Sequence, residues 1–158
     1  MNSTYVFALA LGIGIVAGLR SLTAPAVVCW AAYLGWINLT GSPLAFLGSI
    51  TAVAVFSILA LLEFVSDLLP KTPSRTAPVP LIARILMGGL SGAALAAAGG
   101  GSLSVGALLG GIGGIIGAFA GYQARTRLVS GLKVKDAFVA IPEDLIAIGL
   151  GLVLVLPR

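Results

Sequence analysis

The chain has no histidine, a single cysteine, and only nine basic and five acidic side chains among its 158 residues. The missing histidine removes the usual ligand of zinc and haem, and the usual base of a Ser-His-Asp hydrolase. Cys29, beside Trp30 in an apolar run, cannot close an internal disulfide and has no second thiol with which to build a metal site. It reads as a small buried hydrophobe. No metal and no cofactor is expected. Long polar stretches are missing too: the longest, around Lys71 to Thr76, has the length of a loop, so no soluble domain is expected. The start of the chain is apolar but lacks a basic n-region and a cleavage site, so it is expected to be a retained helix.

What is present is apolar. Hydrophobic residues make up 59% of the chain, charged residues 9%, and the mean hydropathy is +1.14. A soluble domain carries about a quarter charged residues, so the lipid bilayer is the expected solvent and main partner. Two uncharged runs, Ser21 to Leu62 and Ile85 to Ala124, are each long enough for two helices of about 20 residues. Turn residues divide each run: Asn38 to Pro43 in the first, Gly99 to Ser102 in the second. With an apolar segment at each end of the chain, the expectation is an all-α, polytopic membrane bundle of about six transmembrane helices. They fall over 4–20, 24–38, 43–68, 79–98, 103–124 and 137–157, in a single domain. Pro25 and Pro80 then lie in first helical turns, where a missing N–H costs little.

Orientation follows from the cations. Arg20, Lys71, Arg75, Arg84, Arg125, Arg127, Lys133 and Lys135 lie at the connections after helices one, three and five, with only Arg158 on the other side. The positive-inside rule puts those connections in the cytoplasm and both termini outside. The net charge of +4 is explained by this placement, and no nucleic-acid partner is expected.

Glycines recur at four-residue spacing: Gly88 with Gly92, Gly106 with Gly110 and Gly114, and Gly113 with Gly117 and Gly121. Such spacing puts small residues on one face and lets helix backbones approach closely in lipid. Tight packing within one subunit is the simpler reading; a subunit interface in a homo-oligomer, or a moving element, is the sharper one. No strand precedes these glycines, which argues against dinucleotide or phosphate binding.

All five acids fall on the cytoplasmic half. Glu63 and Asp67 share one face of helix three, Glu143 and Asp144 follow Pro142 in helix six, and Asp136 lies at its start. Lys71, Arg75, Lys133, Lys135, Asp67 and Asp136 can reach the interface, where solvation accounts for them. Glu63, Arg84, Glu143 and Asp144 sit deeper, and a buried ion must pair or line a wet cavity. Arg20 and Arg125 could meet them, with Ser21, Thr23, Ser66 and Thr126 adding hydroxyls. One reading makes these groups structural salt bridges. The other makes them a cytoplasmic vestibule for an ion or small polar solute.

Several segments carry a resemblance: Gly18 to Ala26, Glu63 with Asp67 to Thr76, Gly121 to Arg125, and Glu143-Asp144. Together they resemble the small membrane proteins of domain-of-unknown-function family 4126, over almost the whole chain. The resemblance implies a bacterial inner-membrane protein and carries no activity or site residues. The functional expectation is a small transporter or channel in which Glu63, Asp67, Glu143, Asp144, Arg20, Arg84 and Arg125 bind or couple the solute. A non-transporting scaffold or assembly partner is the alternative. An enzyme acting on lipids is disfavoured by the lack of a nucleophile motif, although acid pairs can do general acid–base work.

Overall fold

A computed structural model describes residues 2–67, 74–132 and 136–157. Its elements are α1 (Ser3–Leu19), α2 (Thr23–Tyr33), a short 3-10 helix (Ala45–Gly48), α3 (Ile50–Asp67), α4 (Pro78–Ala98), α5 (Leu103–Leu132) and α6 (Asp136–Val155). The described residues form no strand. The fold is all-helical. Ile50–Asp67, Pro78–Ala98 and Leu103–Gly131 are each long and apolar enough to cross a membrane. Large apolar side chains stand exposed along α3, α5 and α6, among them Leu61, Leu108 and Leu145. Such continuous apolar surface needs lipid or a partner to cover it.

Local signals explain the element ends. The Asn2 side chain accepts from the Thr4 N–H at 3.3 Å and caps α1. Proline opens α4, where its missing N–H costs nothing. Gly35 (φ 75°) takes up the left-handed conformation two residues after α2, and Gly100 (φ 72°) does the same after α4.

Helices α1, α4 and α5 pack most densely on one another. Glycine is what permits it. A Cβ on Gly88 would lie 2.5 Å from the Gly110 carbonyl oxygen, and one on Gly18 would lie 2.5 Å from that of Gly114. Gly92 faces Gly106, Gly113 faces Leu11, and Gly117 faces Ile15 in the same way, backbone against backbone. Helices α2 and α6 pack against α1, whereas α3 touches chiefly α2 and the 3-10 helix. Only 11% of the α3 span is buried, against 44% for α4.

Three helix bounds differ by more than two residues from those read in the sequence. The helix expected over 24–38 stops at Tyr33, and its 11 residues rise only about 16 Å, roughly half the hydrocarbon thickness. The helix expected over 43–68 begins at Ile50, because residues 45–48 form the 3-10 helix. Leu39 and Leu47 of this irregular stretch are buried and anchor it to the bundle, while most of the residues around them are exposed. The helix expected to end at 124 runs on to Leu132, so Arg125 and Arg127 lie within α5 instead of in a connection. Lys71, Lys133, Lys135 and Arg158 lie outside the described residues.

Candidate functional site

The ends of the helices bring eight charged groups to one end of the bundle. Arg20 terminates α1, Glu63 and Asp67 lie in the last turns of α3, and Arg75 precedes α4. Arg84 sits in the second turn of α4, Arg125 late in α5, and Glu143 and Asp144 about two turns into α6 after Pro142.

Six of these eight residues form a continuous chain of ion pairs. Arg75 grips Glu143 with both terminal nitrogens, Nη2 donating to Oε2 at 2.9 Å. Arg125 Nη1 lies 3.7 Å from Glu143 Oε2 and 3.9 Å from Asp67 Oδ2. Arg20 Nη1 lies 3.6 Å from the same Asp67 oxygen, while Arg20 Nη2 pairs with Asp144 Oδ1. The Arg20 guanidinium also rests over the Phe64 ring, 5.5 Å from its centre. The order is Arg75, Glu143, Arg125, Asp67, Arg20, Asp144. These pairs are sequestered: Arg20 and Asp144 are each 3% exposed and Arg75 8%.

Glu63 and Arg84 stand apart from that chain. Glu63 Oε1 accepts from the Ser21 N–H at 2.9 Å and from the Ser21 hydroxyl at 2.5 Å, and Oε2 accepts from the Leu22 N–H at 2.9 Å. The carboxylate of α3 thus sits at the N-terminus of α2, whose own cap residue Leu22 has no side-chain acceptor. Unsatisfied N–H groups and the positive dipole end favour an anion there. Arg84 is 6% exposed and spends its donors on backbone: Nε to the Gly18 carbonyl at 3.0 Å and Nη1 to the Pro80 carbonyl at 3.1 Å.

Of the deep residues singled out in the sequence, Glu143 and Asp144 join the ion-pair chain with Arg20, Asp67 and Arg125. Glu63 and Arg84 bind backbone. Arg75, read from the sequence as a solvated loop charge, is instead buried against Glu143 and Gly121. Its one signal is that it stands inside the segment carrying the family resemblance. Ser21 contributes its hydroxyl, whereas the Thr126 hydroxyl donates to the Tyr122 carbonyl of its own helix. Among the described residues no group of histidine, cysteine, aspartate and glutamate is placed to hold a metal ion.

Not every polar atom here is satisfied. Asp144 Oδ2 and Arg20 Nη1 are buried without a hydrogen-bond partner among the described residues. Chemically, the site is a string of exchangeable carboxylates and guanidiniums, with vacant hydrogen-bonding capacity at its deepest pair.

A family model described as Domain of unknown function (DUF4126) matches residues 7–157. The chain belongs to that family. No curated protein and no solved structure matches it.

Proposed function

We propose that the chain is a small transporter or channel of the bacterial inner membrane, moving an ion or small polar solute, with the Arg20–Asp144 pair as its working centre. The observation that carries this reading is the unfilled hydrogen-bonding capacity of Asp144 Oδ2 and Arg20 Nη1, in side chains only 3% exposed. A buried polar atom without a partner is costly, and in native proteins it is met by water, an ion or a ligand. Ionisable groups inside a membrane bundle commonly mark ion and proton pathways. Under the positive-inside rule the charged end faces the cytoplasm and both termini lie outside. The exposed apolar face of α3 is compatible with a homo-oligomer. No catalytic step enters this reading.

The test is flux into proteoliposomes carrying a pH or ion gradient, for wild type and Asp144→Asn. Flux above empty liposomes that falls at least tenfold in Asp144→Asn supports the reading. Wild-type flux equal to empty liposomes across protons, alkali cations and small anions removes it.

A second reading draws on the Arg75–Glu143 fork and the Glu63 cap, both saturated contacts that tie helix ends together. It makes the cluster structural and the protein a membrane scaffold. A stoichiometric protein partner retained through purification in mild detergent, from a protein without flux, would select it.

A further inference from the structure

Helix α2 packs against α1, α4 and α6, and it stops early. Arg84 of α4 binds the Gly18 carbonyl near the start of α2, which sets a common level for the two helices. Leu95 lies 11 residues beyond Arg84, about 16 Å along α4. That is also the level at which α2 ends. Past it, the slot that α2 occupies stands open. A cleft of about 270 Å³ continues the slot, with a wall that includes Leu9 of α1, Leu95 and Ala98 of α4, and Leu154 of α6. Trp36 and Asn38, from the stretch after α2, complete it. The three helices that flank α2 thus also wall the cleft, at the end of the bundle opposite the charged cluster. Its volume is close to the lower end of small-molecule sites, about 300 Å³, and far exceeds the needs of a single ion.

Apart from Trp36 and Asn38, the side chains of the wall are aliphatic. The Asn38 side-chain oxygen accepts from the Thr40 N–H at 2.9 Å and from the Thr40 hydroxyl, which leaves the amide nitrogen as the open end. Neither that nitrogen nor the Trp36 indole N–H has a hydrogen-bond partner among the described residues. The other indole, that of Trp30, is satisfied by Ser57. A donor left unpaired in an apolar setting is costly, and both of these side chains call for an acceptor. The aliphatic remainder of the cleft calls for hydrocarbon, since such cavities stay dry and take apolar guests. Acceptor oxygens joined to a hydrocarbon chain are what a membrane phospholipid carries.

We propose that this cleft holds one glycerophospholipid of the surrounding membrane, which completes the bundle where α2 stops. Its ester or phosphate oxygens accept from Trp36 Nε1 and Asn38 Nδ2, and an acyl chain lies against Leu9, Leu95 and Leu154. No acidic side chain lines the cleft to repel the phosphate. Tryptophan is the residue that membrane proteins concentrate at headgroup level, where its ring meets hydrocarbon and its N–H meets polar groups. This lipid is a fixed part of the protein, unlike the bulk lipid around it. The site stands whether or not the charged end transports.

The test reads tryptophan fluorescence in detergent micelles, with a phosphatidylcholine brominated on its acyl chains as quencher. The chain has two tryptophans, so Trp30→Phe leaves Trp36 as the sole reporter of the cleft. Trp36→Phe leaves Trp30, 43% exposed and outside the cleft, as reporter of the surrounding micelle. The protein is first washed with detergent until its phosphorus content shows that bound lipid is gone. Quenching of Trp36 should then saturate at one phospholipid per chain, while quenching of Trp30 rises in proportion to the lipid in the micelle. Asn38→Asp keeps the acceptor for Thr40 and replaces the donor with a negative charge, so it should weaken saturation about tenfold. Bromododecane, a chain without an acceptor, should give no saturable step. Three results overturn the proposal. One is Trp36 quenched only in proportion to lipid, as Trp30 is. Another is equal saturation by bromododecane, which would make the cleft a hole for any chain. The third is an unchanged midpoint in Asn38→Asp. A monodisperse peak for each variant separates loss of the site from loss of the fold.

Discussion

Where α1 and α4 meet α5, backbone lies against backbone, with Gly88 against Gly110 and Gly18 against Gly114. Where α3 meets the rest, the polar ties include the Glu63 carboxylate on the start of α2, Asp67 between Arg20 and Arg125, and the Trp30 indole donating to Ser57 at 3.0 Å. The first contact is short-ranged and has no give, because neither carbonyl nor Cα can rotate away as a side chain can. The second is electrostatic, reversible and made by flexible groups. A bundle built this way has a rigid half of α1, α4 and α5, and a half whose position is set by ions. A protein that must rearrange at a charged end would be divided along this line.

The largest expected effect tests the rigid half. Gly110→Ala puts a methyl group onto the Gly88 carbonyl and 3.0 Å from the Gly92 Cα, so two helices must separate. The cost should approach the upper end of overpacking, about 3 kcal/mol. A loss of the monodisperse peak in detergent, or a thermal midpoint lowered by several degrees more than in any charge variant, is the outcome to look for. An unchanged midpoint would mean that α4 and α5 can slide apart and would erase the contrast between the halves.

Next comes the ion-pair chain. Arg75→Ala and Glu143→Ala should each cost about 1–2 kcal/mol, with the double variant costing less than their sum by about 1 kcal/mol. The neighbouring Arg125 limits the damage because it already approaches Glu143. Strict additivity in a double-mutant cycle, read from chemical or thermal unfolding in detergent, would show that the fork contributes nothing. Glu63→Gln should cost about 1 kcal/mol, since the amide keeps one acceptor for α2 but loses its charge at the positive helix end. A Glu63→Gln penalty as large as that of Gly110→Ala would put α3 in the rigid half.

Much of this was legible in the sequence, and the failures have physical causes. The long helices and the shared end of the charges follow from apolar runs and from the cost of burying ions. The early end of α2 does not, because residues 34–49 carry no charge and hydropathy cannot distinguish lipid from protein as their surroundings. Gly35 was the available signal, a residue free to take the left-handed conformation just past the helix. Arg75 was hidden because its partner Glu143 lies 68 residues away, and nothing local marks a guanidinium as buried. Glu63 as a cap was hidden because backbone donors have no sequence signature. What could have flagged it is that Leu22, unlike Asn2, offers no acceptor to the helix it precedes.

The smallest effect sharpens the comparison most, because it uses the same substitution on another helix. A Cβ on Gly149 of α6 would meet nothing within 4 Å. Glycine in a helix interior is less favourable than alanine by up to about 1 kcal/mol, so Gly149→Ala should be neutral or slightly stabilising. Part of that gain is absent in lipid, where an unfolded backbone has no water to bond and the helix is held whatever its side chains. A thermal midpoint equal to or slightly above wild type is therefore expected, beside the collapse expected of Gly110→Ala. If the two variants suffered alike, glycine would matter here for its backbone freedom rather than for the space it leaves. The close approach of α1, α4 and α5 would then be a consequence of the fold and not what holds it.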